Sequence, residues 1–272
     1  MTRLKEDDVN EIATSMVDYD TELVRRTGSS LKGIAANAVG RELSALYNQQ
    51  PQVAVIPMTC GQGIINGFVE SVASIISYLG FNTVVTESRD AGGVAEAVQN
   101  GADILFMADD DRFVALNIKT GKVSDNGEAT GKGYVAGLER MCKGLRDKKV
   151  LLIGAGPVGN GAALALARFG AVVSVYDINL PSSQRLTGEL GKQGYAVTIE
   201  TDLEEALSRH RILLDACPAG DIIKSKHIAE DTMIAAPGIP LGVQEDDVKL
   251  LSERLLHDPL QIGVATMLFD VL

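Results

Sequence analysis

The sequence predicts an α/β protein of two lobes, in which N-terminal helices precede a helix-covered parallel sheet and a second α/β domain follows. Short, continuous apolar runs alternate with stretches of helical periodicity in both halves of the chain. Such runs are typical of parallel strands that are buried on both faces. The charged stretch "RDKK" separates the halves, so we divide the chain into domains 1–146 and 147–272.

The first fifty residues predict two helices. Apolar residues from Leu4 to Val24 recur at near-helical spacing until Gly28 interrupts the pattern. A second helical pattern covers 31–43, and Ser29 or Ser30 can cap its first turn. Pro51 then marks a change in structure.

The rest of the first domain predicts a sheet with covering helices. Apolar runs predict strands over 53–58, 83–88 and 103–108, and helical patterns lie between them over 64–80 and 91–101. A hairpin follows over 113–128, with its turn at Thr120 and Gly121, and a connecting helix covers 131–145.

The second domain opens with a glycine motif between two predicted strands. Residues 154–159 are Gly154, Ala155, Gly156, Pro157, Val158 and Gly159, after a buried strand and at the start of a small-residue helix. In a Rossmann domain, three glycines at this spacing permit the tight turn, the close approach of a pyrophosphate and the packing of helix on strand. We therefore predict a C-terminal Rossmann dinucleotide-binding domain.

An acidic residue closes the second strand of this motif. Asp177 ends "VVSVYD", where a carboxylate accepts hydrogen bonds from ribose hydroxyls and repels a 2′-phosphate. No arginine follows directly, so we predict NAD rather than NADP as the cofactor. Three small residues at later strand ends, Cys217, Pro218 and Pro237, are predicted to line the same cofactor site.

Composition excludes several classes of partner. The net charge of −11 argues against a nucleic acid or an anionic membrane surface, and no apolar run is long enough to span a bilayer. Three scattered cysteines and an N-terminus without an apolar signal core predict a cytoplasmic protein. We expect the three histidines, His210, His227 and His257, at the surface, and we predict no metal site.

An acidic run follows the third strand of the first domain, in the stretch "MADDDRF" (107–113). Ligands of open parallel sheets bind beyond the carboxyl ends of the strands. Asp109 and its two acidic neighbours therefore either receive an ammonium-bearing substrate or form a solvated loop in which Arg112 pairs with one of them. For Asp110 and Asp111 we favour a role in the electrostatic surroundings of the site or a position at the surface.

At these residues the chain resembles the pyrrolysine synthase (PylD) family. The matching stretches are "IPMTCGQGIINGF", "EAVQNGADILFMADDDRFVALNIKTGK", "APGIP" and "PLQIGVATMLFDVL", which extend over the whole chain. The resemblance implies NAD-dependent oxidation of the terminal amine of a lysine that carries 3-methyl-D-ornithine on its side-chain nitrogen. Loss of ammonia and closure of a pyrroline ring follow.

The resemblance also implies roles for single residues. It makes Asp109 the residue that acts on the reacting amine, and it makes Leu4 a pocket residue on a first helix that acts as a lid. We predict a substrate pocket formed by Leu4, Thr59, Cys60, Phe68 and Ala108. The family has serine and asparagine where this chain has Cys60 and Gln62, so hydrogen bonding from that turn differs. We also expect a homo-oligomer, specifically a dimer.

Two other functions stay open at this point. The first is another NAD-dependent amino-acid or imine dehydrogenase with the two-lobed plan of shikimate dehydrogenase. Those enzymes mostly use NADP and a catalytic lysine, whereas this chain has Asp177 and acidic strand ends. The second is a non-catalytic NAD-sensing module. The presence of a full second lobe disfavours it, because binding NAD alone does not require one.

Overall fold

The computed structural model describes residues 4–43 and 50–272, and it begins with three helices. They are α1 (Glu6–Val9), α2 (Ile12–Thr27) and α3 (Leu31–Ala38). The first predicted helix is therefore two segments. Gly28 ends α2 in the left-handed conformation, and the Ser30 hydroxyl accepts a hydrogen bond from the Gly33 N–H, as predicted. Two parts of the chain lie outside the described residues. They are residues 1–3, at the charged N-terminus, and residues 44–49, where we predicted the end of the helical region before Pro51.

The first lobe contains a five-stranded mixed sheet in the order β2-β1-β3-β4-β5. Its strands are β1 (Val53–Ile56), β2 (Thr83–Val85), β3 (Ile104–Ala108), β4 (Phe113–Asn117) and β5 (Val123–Asp125). The first three strands are parallel, as predicted, and β4 and β5 form the predicted hairpin, which adds two antiparallel strands to the edge. Gly121, with φ +73°, occupies its turn.

Three helices accompany this sheet, namely α4 (Phe68–Tyr78), α5 (Asp90–Gln99) and α6 (Asn126–Met141). Helix α6 begins at Asn126 instead of 131, so this predicted boundary is wrong. The Asp125 side chain accepts a hydrogen bond from the Gly127 N–H and thereby caps the helix. Its glycines permit close packing: a Cβ on Gly131 would lie 2.3 Å from the Val158 carbonyl oxygen.

The second lobe is the predicted Rossmann domain. Its strands are β6 (Lys149–Ile153), β7 (Val172–Tyr176), β8 (Val197–Ile199), β9 (Ile212–Asp215), β10 (Met233–Ala235) and β11 (Leu255–Leu256). All pairings are parallel, in the order β11-β10-β9-β6-β7-β8. Its helices are α7 (Pro157–Arg168), α8 (Leu180–Lys192), α9 (Leu203–Arg209) and α10 (Val248–Leu251).

The final helix, α11 (Gln261–Val271), returns to the first lobe. It packs against α3, α4 and α6, and the Asn117 side-chain amide donates to the Val271 carbonyl at 2.9 Å. Nearly all of its residues are buried, and they belong to one apolar core that also includes residues of the second lobe. The division at 146 and 147 stays a prediction, and in space α11 lies with the first lobe.

The expected surface position of the histidines is wrong for two of them. His210 and His227 are 5% and 4% exposed, and the His210 ring nitrogen Nδ1 lies 2.8 Å from the Ala206 carbonyl oxygen. Within 4–43 and 50–272, no group of His, Cys, Asp or Glu side chains is arranged to hold a metal ion. None of the described helices is both long and apolar enough to cross a bilayer.

Candidate active site

A cleft of about 960 Å³ lies where the carboxyl ends of the two sheets face each other. Residues that follow β1 and β3 form its first-lobe wall, and residues that follow β6, β7 and β9 form its second-lobe wall. The starts of α6 and α11 close it between the lobes. This is the edge at which parallel α/β sheets bind their ligands.

The glycine loop has the geometry expected of a dinucleotide site. Gly154 has φ +99°, and a Cβ there would lie 3.1 Å from the Ala216 backbone. Gly156 faces open space, whereas a Cβ on Gly159 would lie 2.0 Å from the Gly154 carbonyl oxygen. Gly156, Pro157 and Val158 line the cleft, so a pyrophosphate fits against the start of α7. Cofactor binding by these residues stays a prediction.

Asp177 lies beside this loop at the end of β7. Its Oδ2 accepts a hydrogen bond from the Ala155 N–H and its Oδ1 from the Asn179 N–H, each at 2.7 Å. These bonds hold the carboxylate at the rim of the cleft. Each carboxylate oxygen has a second lone pair, so both remain able to accept from ribose hydroxyls.

Asp109 organises the acidic turn on the opposite wall. Its Oδ1 accepts from the Asp111 N–H at 2.8 Å and from the Arg112 N–H at 2.7 Å, which closes the turn after β3. The residue is exposed and lines the cleft. With Oδ1 engaged by the backbone, Oδ2 is the oxygen that can serve a bound amine.

Asp110 has a structural partner that the sequence did not reveal. Its Oδ2 accepts a hydrogen bond from the Gln62 N–H at 2.7 Å, and its carboxylate covers Gly61. Asp110 is exposed at the cleft, as expected, and in addition it bonds the backbone of the neighbouring turn. Asp111 is exposed at the cleft, in line with that expectation.

The cleft carries a strongly negative charge pattern. Among the described residues that line it there is no lysine, arginine or histidine. Arg112, which is not a lining residue, pairs with the lining residue Asp125 at 3.1 Å. The carboxylates of the lining are Asp109, Asp110, Asp111, Asp125, Asp177 and Asp258.

Asp258 is a cleft residue that sequence reasoning missed. Its Oδ1 accepts from the N–H groups of Leu260 and Ile262 at the start of α11, and its Oδ2 accepts from the Tyr19 hydroxyl at 3.0 Å. Burial raises the pKa of Asp258. An Asp-Pro pair just before the last helical pattern was the available signal, because Asp is a common capping residue.

The cleft brings together most of the residues that the sequence predicted for it. Thr59 lies outside the lining, because its N–H and hydroxyl both donate to the Asp90 carboxylate. Gly159 is also outside, since it packs within the loop. The lining includes Leu4, Cys60, Phe68, Ala108, Cys217, Pro218 and Pro237.

The environment of Cys217 supports its prediction as a lining residue rather than a nucleophile. Its thiol donates to Asp215 Oδ1 at 3.0 Å. Burial, reinforced by the nearby Asp215 charge, raises the pKa of Cys217 to about 12. The thiol is therefore protonated at neutral pH, and a protonated thiol is a poor nucleophile.

Two family models match successive parts of the chain and meet at 124 and 125, not at the predicted boundary of 146 and 147. Residues 8–124 match the N-terminal domain of the pyrrolysine biosynthesis protein PylD, and residues 125–236 match the C-terminal domain of alanine dehydrogenase/PNT. Quinate dehydrogenase from Corynebacterium glutamicum, solved with NAD, superimposes with a TM-score of 0.57 over 82% of this chain and 93% of that chain. At 16% identity this likeness concerns the fold alone.

Two curated relatives match the entire chain. The pyrrolysine synthase of Methanosarcina barkeri is 34% identical over all of this chain and 98% of its own length. That of Methanosarcina acetivorans is 32% identical over the full length of both chains. The chain belongs to the pyrrolysine synthase (PylD) family of dinucleotide-dependent enzymes.

Proposed function

We propose that the protein oxidises the terminal amine of L-lysine-Nε-3-methyl-D-ornithine with NAD and thereby forms pyrrolysine. One observation carries the proposal: a dinucleotide loop with Asp177 faces a cleft wall of carboxylates, and no basic side chain is among the described lining residues. The substrate has three amines and one carboxylate, so it is a cation that such a cleft attracts.

Asp177 supports NAD as the cofactor. Its carboxylate is held at the rim by two backbone N–H groups, where it accepts from ribose hydroxyls and repels a 2′-phosphate. The open face of Gly156 leaves space for the pyrophosphate. NAD, when bound, supplies the acceptor for the hydride that leaves the substrate.

Asp109 acts on the reacting amine. An ammonium group releases hydride poorly, because a proton occupies the lone pair that drives hydride departure. Asp109, fixed by its bonds to the amides of the acidic turn, orients the amine, helps to remove its proton and stabilises the iminium that develops. The neighbouring α-amine then attacks the iminium carbon, ammonia leaves, and the pyrroline C=N bond forms.

Leu4 supports a closing role for α1. Leu4 lies two residues before α1, not on the helix as expected, and it lines the cleft. The Asn66 side chain, in the turn before α4, donates to Glu6 Oε1 of α1 at 2.6 Å. Closure of α1 over bound substrate excludes water from the step that produces the iminium. We also propose a dimeric, cytoplasmic enzyme, which sedimentation and cell fractionation test.

The charge pattern disfavours the shikimate-dehydrogenase-like alternative. That chemistry employs a lysine, and the described cleft lining has none. The decisive experiment follows NADH absorbance with NAD and L-lysine-Nε-3-methyl-D-ornithine for the wild type, for Asp109→Asn and for Glu189→Gln, an exposed control on α8.

We expect turnover by the wild type and the control. In a folded Asp109→Asn variant we expect a loss of about 100-fold or more, the usual contribution of a proton-transfer group. NAD binding without any turnover of this substrate would contradict the proposal. Full activity of Asp109→Asn would contradict the role of Asp109.

A further inference from the structure

The turn that follows β1, residues 59–63, carries side chains to the first-lobe wall of the cleft. Cys60, Gln62 and Gly63 line the cleft, and the Gly63 N–H donates to the Cys60 carbonyl at 3.3 Å. Gly61 and Gly63 have φ values of +70° and +82°. A turn with two glycines in this region has many alternative conformations, so something else must select the one observed.

The sheet order places this turn between two strand ends. Strand β1 lies between β2 and β3, and all three are parallel, so the residues after β2 and after β3 flank the turn. The structure places a carboxylate on each side. They are Asp90, the first residue of α5, and Asp110, in the acidic turn.

Asp110 holds the turn from the β3 side. Its Oδ2 accepts from the Gln62 N–H at 2.7 Å. A Cβ on Gly61 would lie 2.1 Å from the same oxygen, so the carboxylate occupies the space above that glycine. The turn and the acidic run are therefore complementary in shape as well as in hydrogen bonding.

Asp90 holds the turn from the β2 side. Its Oδ1 accepts from the Thr59 N–H at 2.7 Å, and its Oδ2 accepts from the Thr59 hydroxyl. These bonds lower the pKa of Asp90, which is therefore ionised at neutral pH. Asp90 has φ +51°, a left-handed conformation that Asp and Asn adopt more readily than most residues.

We propose that Asp90 and Asp110 are positioning residues that form a carboxylate clamp on the 59–63 turn. The clamp holds Cys60 and Gln62 toward the substrate before the substrate binds. Charge-assisted hydrogen bonds are strong enough to select one conformation of a glycine-rich turn. The inference rests on the proposed function only in taking the amine substrate as the molecule that this wall contacts.

Asp90 provides the sharper test, because it is not a lining residue and its carboxylate bonds the turn at Thr59. Asp90→Gly removes both bonds and tolerates the positive φ, whereas Asp90→Asn retains that tolerance and one acceptor. We expect Asp90→Gly to raise KM for L-lysine-Nε-3-methyl-D-ornithine about tenfold, equal to about 1.4 kcal/mol. Asp90→Asn recovers most of this loss, and Kd for NAD is unchanged in both.

A second measurement needs no substrate. Peptide mass spectrometry measures the rate at which iodoacetamide alkylates Cys60. This rate reports the conformational mobility of the 59–63 turn. We expect faster alkylation in Asp90→Gly and Asp110→Ala than in the wild type, and no change in Glu189→Gln.

The two measurements separate failure of the clamp from failure of the proposed function. A wild type without turnover defeats the proposed function, and the alkylation rates then decide the clamp alone. A folded Asp90→Gly variant with wild-type KM and a wild-type Cys60 rate overturns the clamp. An equal rise in Kd for NAD also overturns it, because that result indicates a general structural role.

Discussion

Helices α6 and α7 cross so closely that no side chain fits at Gly131. A Cβ there would lie 2.3 Å from the Val158 carbonyl oxygen and 2.5 Å from the Ala162 amide nitrogen. Both are backbone atoms of α7, and Val158 belongs to the glycine loop. Gly131→Ala must therefore displace the helix that carries the cofactor loop, because no side-chain rotation relieves the contact.

The two energies that Gly131→Ala changes have opposite signs. Alanine favours a helix interior over glycine by about 0.5–1 kcal/mol. Overpacking costs about 1–3 kcal/mol, and a clash between backbone atoms belongs at the upper end of that range. We expect a net loss of about 2 kcal/mol in the free energy of unfolding, together with weaker NAD binding.

Gly188→Ala is the matched control, because a Cβ at this position in α8 meets nothing within 4 Å. We expect it to stabilise the protein by about 0.5–1 kcal/mol. Urea denaturation and NAD titration of both variants measure these effects. A denaturation midpoint for Gly131→Ala at or above that of the wild type would refute the reasoning, as would an equal loss in Gly188→Ala.

Three further substitutions test the site and its surroundings. Asp177→Asn removes the charge that repels a 2′-phosphate, so the ratio of kcat/KM for NAD to that for NADP should fall about tenfold or more; an unchanged ratio contradicts this role. Burial raises the pKa of Asp215 from 3.8 in the unfolded chain to about 6 in the folded protein. The contribution of Asp215 to the free energy of unfolding is therefore full below pH 3.8 and is lost as the pH rises through 6. Asp215→Asn should therefore gain stability over the wild type as the pH rises from about 4 to 6, by roughly 3 kcal/mol at neutral pH, and denaturation curves that keep a constant difference rule this out. Leu4→Ala should raise KM for the amine substrate several-fold and leave Kd for NAD unchanged; equal effects on both argue against a lid.

Local patterns in the sequence were sufficient wherever one segment determines its own structure. Gly28 ends α2 and Ser30 caps α3, because each acts on the backbone within a few residues. The alternation of apolar runs with helical patterns predicted both lobes, since parallel strands buried on two faces need continuous apolar sequence. The glycine motif likewise predicted the tight turn between β6 and α7, where Gly154 has φ +99°.

Contacts between distant segments were beyond such patterns. The start of α6 was misplaced because its glycines resemble helix breakers in the sequence, whereas in space they admit α7 and α11. Asp258 bonds Tyr19 across 239 positions of the chain, so no spacing rule identifies that pair.

The sequence by itself determined the two-lobed α/β plan, the glycine loop after β6 and the acidic character of the first-lobe strand ends. Only the tertiary structure decided which hydrogen bonds each carboxylate of the acidic run makes. Asp109 closes a turn at the cleft, and Asp110 holds Gln62. The reason is physical: a carboxylate's role depends on which N–H groups and charges lie within hydrogen-bonding distance, and the sheet order brings those groups together from separate parts of the chain.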